Sequence, residues 1–370
     1  RALLTEAAEI DSQARSAIKN SFISRTLSEA STHVLNANAA RTDLRYDLAI
    51  GDLTKAVELF AEVEAQLPDR QARLDYAVAL QDLGDLYMVA GNTYGALGAA
   101  MTRVEFLKAQ AKAEPMDLGW TRELIWALNS VGSVLQQQGY LKEAEEAFMN
   151  AFEFSQWQSD RNPDDPDLQR DREVIRNKLG EVRFALADYP GALSAYQESL
   201  VIAQKLLDSD PTRITYMRDV SYTQERIGDV YVAMGDRQSA RAAFDVAMRI
   251  SQQLVDEFPT DQEFRRDLSV AYERLGDMMI AENDLDSALA SYLEALNIRE
   301  DLAKLDPTNR MRQRDSSVTY ERIGDIYAAM GDVGSALMSH QQALDLREKL
   351  VALDPGSAQW ARDLSVSYER

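Results

Sequence analysis

Hydrophobic residues recur along most of this chain at steps of three and four, the spacing typical of amphipathic helices. In one representative segment, a first apolar stripe contains Phe264, Leu268 and Leu275, and a second contains Leu285 and Leu296. A short polar connection separates the stripes, so the segment predicts two helices folded back as an antiparallel hairpin. The pattern therefore indicates an all-α protein.

The hairpin pattern returns every 48 residues. Each repeat has a glycine in its first helix (helix A), an alanine twelve residues later in its second helix (helix B), and a proline after helix B. Two successive repeats, 259–306 and 307–354, are identical at 24 of 48 positions. A fixed period of this kind predicts a stack of hairpins in which each buries its apolar face on the next. The recurring residues are Gly84, Gly132, Gly180, Gly228, Gly276, Gly324, Ala96, Ala144, Ala192, Ala240, Ala288, Ala336, Pro115, Pro163, Pro211, Pro259, Pro307 and Pro355.

A glycine followed by aspartate marks the predicted turn between helices A and B, as at Gly235-Asp236 and Gly331-Asp332. The glycine can adopt the left-handed conformation that ends a helix, and the aspartate can cap the next one. Gly139-Tyr140 keeps the stop but lacks the cap. Gly51-Asp52 is interpreted as the same turn, with a helix from Leu53 to Pro68.

The first fifty residues contain neither glycine nor proline, so they are predicted to be mostly helical. A break is expected at Asn20-Ser21 or at Ser31-Thr32-His33, where a hydroxyl could cap a new helix. The predicted organisation is therefore N-terminal helices and one shorter hairpin in residues 1–68. Six long repeats and a truncated seventh follow in residues 69–370, as one continuous solenoid.

Aromatic residues stand sixteen positions after the glycine in four repeats, at Phe148, Tyr196, Phe244 and Tyr292. With the glycine and the small residues, this pattern resembles the tetratricopeptide repeat. The ordinary unit has about 34 residues, so each helix here gains about two turns, or roughly 10 Å. The chain is similar in this to the long repeats of kinesin light chain and of bacterial multidomain proteins. The resemblance implies a right-handed α-solenoid with about 20-residue helices, whose concave helix A face binds an extended peptide.

The composition is strongly acidic, with 40 basic and 61 acidic residues and a net charge of −21. This charge disfavours nucleic acids and anionic membrane surfaces and favours a protein or peptide partner with basic segments. The chain has no cysteine, and no apolar run is long enough for a membrane span. A cytoplasmic location is expected. Because the sequence begins at Arg1 and ends inside a repeat, we expect it to be a piece of a longer protein.

No motif for phosphate binding, dinucleotide binding or zinc-dependent hydrolysis occurs in the sequence. His33 and His340 lie more than 300 residues apart, and His340 takes the place of the aromatic residue, so we interpret it as core. The repeat glycines are explained by close approach of helix A to helix B. No enzymatic activity, metal or cofactor is predicted.

Charged residues form regular columns on helix A. Relative to the glycine, glutamate stands at −3, a basic residue at −2 and aspartate at +1; another Arg-Asp pair stands near the start of the helix. The resemblance implies that the basic side chains could grip carboxylates of a peptide, whereas an ion-pair ladder between adjacent repeats is the alternative. The columns contain Glu225, Glu273, Glu321, Glu369, Lys178, Arg226, Arg274, Arg322, Arg370, Asp229, Asp277, Asp325, Arg218-Asp219, Arg266-Asp267, Arg314-Asp315 and Arg362-Asp363.

The repeats around Gly132 and Gly180 depart from this regular pattern. They place amides and aromatic residues at the groove positions, where an amide can bind a peptide backbone and an exposed ring can anchor a side chain. The alternative is that these repeats have simply diverged, with Trp126 buried. The candidate partner-binding residues here are Trp126, Asn129, Ser133, Gln136, Asn177, Lys178, Glu181, Gln137 and Phe184.

These observations favour a non-enzymatic scaffold for protein–protein interaction. One alternative is a solenoid that assembles end to end, because the last helix A leaves Leu364, Val366 and Tyr368 without a following helix B. That end could also mediate a homo-oligomer. A second alternative is a regulatory arm of a larger enzyme or signalling protein.

Overall fold

The structure is a computed structural model that describes residues 2–66 and 70–369, and every regular element within these residues is an α-helix. The predicted all-α class is confirmed. The chain forms two compact units, residues 1–187 and residues 188–370. In each unit, helices that follow one another in sequence pack together, which is the arrangement of a helical solenoid. The division expected at residue 68 stays a prediction, because Pro68 lies outside the described residues.

Seven helices form the described part of the first unit. They are α1 (Ala2–Thr42), α2 (Tyr46–Gln66), α3 (Arg70–Val89), α4 (Thr93–Ala113), α5 (Leu118–Gln137), α6 (Leu141–Arg161) and α7 (Pro166–Ala185).

The second unit contains α8 (Tyr189–Ser209), α9 (Ile214–Met234), α10 (Arg237–Glu257), α11 (Gln262–Ala281), α12 (Leu285–Leu305), α13 (Arg310–Met330), α14 (Val333–Leu353) and α15 (Ala358–Glu369). The odd-numbered helices from α3 onward are helices A, and each begins 48 residues after the previous one. Helices α3 to α14 have 20 or 21 residues, as the long repeat predicts.

The turns between helices A and B follow the predicted chemistry. Gly235 and Gly331 have φ angles of 80° and 83°, in the left-handed region that favours glycine. The Asp236 carboxylate then accepts a hydrogen bond from the Ser239 backbone N–H at 3.1 Å. Tyr140 makes no side-chain cap hydrogen bond, as expected for the turn that lacks an aspartate.

The predicted break in the first helix is wrong, because α1 continues through both candidate positions. Ser31 and Thr32 donate their hydroxyl hydrogens to the backbone carbonyls of Leu27 and Ser28, four residues earlier. Bonds of this kind let serine and threonine lie within a helix instead of capping a new one.

The predicted turn at Gly51-Asp52 is also wrong, because both residues lie inside α2. The chain turns instead at residues 43–45, where Leu44 has a φ of 60° and the Arg45 N–H donates to the Ala40 carbonyl. Helix α2 has 21 residues, so this hairpin is not shortened in helix B. Asp52 lies 2.7 Å from Nδ1 of His33 instead of capping a helix.

The repeat glycines allow an aromatic ring of helix B to lie against helix A. A Cβ atom on Gly276 would lie 2.6 Å from the Tyr292 ring, and one on Gly132 would lie 2.6 Å from the Phe148 ring. His340 occupies the same place over Gly324. The six repeat alanines of helix B are buried (Ala96, Ala144, Ala192, Ala240, Ala288 and Ala336). Close packing of helices A and B therefore explains the 48-residue glycine period.

Alanine substitutions at two repeat glycines are expected to have different effects. Gly276→Ala should lower the free energy of unfolding by about 1–3 kcal/mol, because the Tyr292 ring is held by its hydroxyl hydrogen bond to Asp277 and cannot yield easily. Gly84→Ala should be neutral or stabilising by up to about 1 kcal/mol, since its nearest neighbour would be the Ala99 Cβ at 3.7 Å. Urea denaturation followed by circular dichroism measures both; equal effects would contradict the packing explanation.

Candidate functional site

A cavity of about 400 Å³ lies between helices α3, α4 and α5 of the first unit. Its presence follows from one sequence difference between the repeats. Where the later hairpins place an aromatic or histidine ring sixteen residues after the glycine, this hairpin has Ala100. We call the cavity the α3–α5 groove; it is lined by Leu80, Gln81, Gly84, Asp85, Met88, Val89, Ala96, Ala100, Arg103, Asn129, Ser130, Ser133 and Val134.

The floor of the α3–α5 groove carries a buried guanidinium. Arg103 is only 2% exposed, and its Nη2 donates to the Glu123 carboxylate at 2.6 Å. Its Nε makes no hydrogen bond within the described residues. Burial lowers the pKa of Arg103, although Glu123, Asp85 and Asp82 oppose this effect. This N–H donor is buried and has no partner among the described residues.

Asn129 contributes an acceptor to the same lining. Its Oδ1 atom is buried and has no hydrogen-bond donor among the described residues. A buried polar atom without a partner costs about 1–3 kcal/mol, so a ligand that supplies an N–H would recover part of this cost. A peptide backbone has such an N–H in every residue except proline.

Two carboxylates of α3 add negative charge to this region. Asp85 lines the groove, and Asp82 lies one turn earlier on α3. Desolvation raises the pKa of both groups, and the charge of Asp85 raises that of Asp82 further. A cation bound beside them would relieve this unfavourable environment. The groove thus combines apolar walls, an acidic rim and two lining residues that each hold a buried polar atom without a partner.

The structure brings some of the sequence-predicted residues together at this groove. Asn129 and Ser133 line it, whereas Trp126 and Gln136 are half-buried on the same helix, α5. Helix α7 carries the other amide candidate, Asn177, which is 5% exposed and donates to Glu173 at 2.6 Å. Asn177 is therefore buried and hydrogen-bonded within its own helix, and its role in partner binding stays a prediction.

The remaining candidates of the first unit also have internal contacts. Lys178 forms an ion pair with Glu181 at 2.9 Å, one turn later on α7. Phe184 is half-buried near the end of the same helix. Neither residue lines the α3–α5 groove.

Two arginines of the basic column in the second unit form ion pairs with the same aspartate. Arg226 lies 3.2 Å from Asp229 on its own helix, and Arg274 of the next repeat lies 3.1 Å from the same carboxylate. Arg322 is exposed. The second column shows the same arrangement, with Arg218 paired to Asp267 at 2.9 Å and Arg314 paired to Asp363 at 2.6 Å. The paired arginines lie as the ion-pair ladder predicts, and binding of a peptide carboxylate stays a prediction.

The glutamate column has a different partner from the one expected. Glu273 and Glu321 are held by Arg299 and Arg347, which come from helix B of the same repeat. In the sequence, an arginine stands 26 residues after each of these two glutamates. We expected the glutamates to pair only with arginines of helix A, so this spacing was missed. Glu225 lacks this partner because the corresponding residue is Ser251.

Within the described residues, no helix is long and apolar enough to cross a membrane. The same residues contain no group of three or more histidine, cysteine, aspartate or glutamate side chains arranged to hold a metal ion.

Repeat geometry and comparison with a solved structure define the fold of the protein. No protein-family model matches the sequence, and no curated protein matches it. Its fold is similar to that of BtubC (BKLC) from P. vanneervenii, with a TM-score of 0.54 and 20% identity over 70% of this chain and 91% of that one. The chain is an all-α protein built of helical hairpins, and it shares this fold with BtubC.

Two further solved structures are similar over more of the chain. A tetratricopeptide repeat protein from Parabacteroides merdae has a TM-score of 0.44 and 13% identity, over 92% of this chain and 99% of that one. The Rap conjugation gene regulator of the plasmid pLS20, solved in complex with the Phr* peptide, has a TM-score of 0.45 and 16% identity, over 87% and 74%.

Proposed function

We propose that this protein is a non-enzymatic interaction scaffold that binds an extended segment of a partner protein in the α3–α5 groove. The observation that carries the proposal is the missing ring at Ala100, which leaves a cavity where other repeats have a filled core. The hairpin of Gly132 and Phe148 supplies a template for how a ring would sit there, against the helix A glycine.

The groove favours a particular kind of segment. An aromatic or large apolar side chain of the partner would occupy the cavity over Gly84, and burial of such a side chain stabilises a complex by about 1.5–3 kcal/mol. A backbone N–H beside it would donate to the Asn129 Oδ1 atom. A neighbouring lysine or arginine would lie near Asp82 and Asp85, in agreement with the basic partner expected from the net charge of −21.

Filling the cavity with a larger side chain of the protein itself should separate the effect on peptide binding from the effect on stability. Ala100→Phe restores the ring of the other repeats, so it should raise the free energy of unfolding by about 1–3 kcal/mol while weakening peptide binding at least tenfold. The probe is a fluorescein-labelled peptide of sequence Gly-Ser-Lys-Phe-Arg-Ser-Gly, measured by fluorescence anisotropy. Its Phe→Ala form tests whether the ring is required.

Asn129→Ala is expected to weaken binding of the same peptide about three- to tenfold, because one hydrogen bond is lost. Trp157→Lys is the matched control, because Trp157 lies on α6 and does not line the groove. This variant should bind the peptide as the wild type does. The proposal would be contradicted if Ala100→Phe stabilised the protein and still bound the peptide with unchanged affinity.

A further inference from the structure

A second cavity, of about 420 Å³, lies between the B helices α4 and α6 of the first unit. Thr121 and Leu124 of α5 are buried and form its floor, and the exposed rings of Phe154 and Trp157 form one wall. We call it the α4–α6 pocket; it is lined by Lys108, Ala111, Lys112, Pro115, Thr121, Leu124, Glu153, Phe154 and Trp157. It shares no lining residue with the α3–α5 groove.

Trp157 is specific to this repeat. The corresponding residues of the later repeats are all polar: Lys205, Gln253, Asp301 and Lys349. Here the tryptophan is 37% exposed, and the Arg161 guanidinium lies 4.1 Å from its ring centroid. An exposed tryptophan at a position where four other repeats place a polar residue is not needed for the core. Aromatic residues of this kind are enriched at the centres of binding surfaces.

The charge of the pocket rim also differs from that of most other repeats. Lys108 corresponds to Gln156, Gln204, Gln252, Glu300 and Glu348, none of which is basic. Lys112 corresponds to aspartates at residues 160, 208 and 256, and to Lys304 and Ala352 in the two later repeats. Lys108 forms only an exposed ion pair with Glu105, at 3.2 Å, which adds little stability. The pocket lining carries two lysines and one glutamate, Glu153, and on a chain with a net charge of −21 this surplus of basic side chains beside exposed rings favours an acidic ligand.

We propose that the α4–α6 pocket is a second docking site, which binds an acidic segment of a partner protein through one aromatic side chain. The ring of the partner packs against Phe154 and Trp157 above Leu124. Aspartate or glutamate residues on either side of that ring lie near Lys108 and Lys112. The site therefore selects a charge opposite to the one favoured by the α3–α5 groove, and it does not depend on the function proposed for that groove.

The test uses a fluorescein-labelled peptide of sequence Gly-Asp-Glu-Phe-Glu-Asp-Gly with the full 370-residue chain, measured by fluorescence anisotropy. Wild type should bind it, and Trp157→Lys should weaken binding at least about tenfold, since an aromatic contact at the centre of the site is lost. Lysine is compatible with the fold at this position, because Lys205 and Lys349 occupy it in other repeats. The exposed residue Val201 supplies the matched control, and Val201→Lys should bind as the wild type does.

Charge reversal tests the selectivity. Lys112→Asp should weaken binding of the acidic peptide about fivefold, while Ala100→Phe should leave binding of that peptide unchanged. Three results would overturn the proposal: no binding of the acidic peptide by the wild type, unchanged binding by Trp157→Lys, or self-association that Trp157→Lys abolishes. The last result, measured by sedimentation equilibrium, would assign the pocket to a second copy of this chain.

Discussion

Replacing Arg299 by leucine is expected to lower the free energy of unfolding by about 3–5 kcal/mol, because the Glu273 carboxylate would remain buried without its cation. Arg299 is 8% exposed and donates two hydrogen bonds to Glu273. It also donates to the Thr319 hydroxyl at 2.6 Å and to the Asp315 carbonyl at 3.2 Å. This one side chain therefore joins α12 to α11 of its own hairpin and to α13 of the next.

Removal of both charges distinguishes a buried ion pair from a general loss of packing. The double variant Arg299→Leu with Glu273→Leu should recover most of the lost stability, because no charge is then left buried without a partner. Arg249→Leu is the matched control: Arg249 is an exposed arginine of a B helix, and we expect a change of less than about 0.5 kcal/mol.

Urea denaturation monitored by circular dichroism measures these changes, and hydrogen exchange of the α11–α13 amides shows whether the loss is local. Equal destabilisation in the single and double variants would contradict the ion-pair explanation. A repeat protein can unfold in parts, so the local exchange rates are the decisive measurement.

The repeat period and most turns could be predicted because they depend on residues close together in sequence. Gly235 and Asp236, for example, determine the end of one helix and the start of the next by their own backbone and side-chain chemistry. The continuous first helix was not predicted, because Ser31 and Thr32 can either cap a helix or bond to the preceding turn, and sequence alone does not choose between them.

The candidate groove could be predicted only in part. Asn129 and Ser133 were identified because they depart from the repeat pattern, and both line the cavity. The decisive feature is the small side chain of Ala100, and its effect depends on the rings at the corresponding position of other repeats. The buried guanidinium of Arg103 was missed because its burial depends on how α4 packs between α3 and α5. A comparison of each repeat position across all hairpins would have revealed Ala100.

The second large expected effect is a pH dependence of stability caused by Glu225. This glutamate is buried, but it lacks the helix B arginine that pairs with Glu273 and Glu321. It is 8% exposed, and the nearest cation that forms an ion pair with it is Arg226, at 3.8 Å. The corresponding position to Arg299 is Ser251, whose Oγ lies 3.3 Å from that of Ser221. Desolvation raises the pKa of Glu225 to about 7, although Arg226 and Arg274 oppose this effect.

A raised pKa in the folded state means that folding favours the neutral carboxyl group. The resulting stability is fully present below the ordinary pKa of 4.5 and is lost as the pH rises through about 7. The second unit should therefore become less stable between about pH 5 and pH 8, by an amount on the order of 3 kcal/mol from this residue. Asp229 and Asp267 also have pKa values raised by desolvation and contribute in the same direction.

Glu225→Gln isolates the contribution of this one carboxyl group from those of the two aspartates. At about pH 8 the variant should be more stable than the wild type by about 2–3 kcal/mol, and at about pH 4 the difference should nearly vanish. Urea denaturation at the two pH values measures it, with the exposed residue Glu257 changed to glutamine as the control. Identical pH dependence in wild type and Glu225→Gln would show that Glu225 is not the responsible group.

Ser251→Arg tests the same explanation from the opposite direction, because it introduces the arginine present in the two following repeats. The new guanidinium should hold Glu225 ionised, so the destabilisation between about pH 5 and pH 8 should decrease. Ala271→Thr, which adds the hydroxyl corresponding to Thr319, should strengthen the effect when combined with it. If Ser251→Arg kept the pH dependence of the wild type, the new arginine would not hold Glu225 as Arg299 holds Glu273, and this explanation would be ruled out.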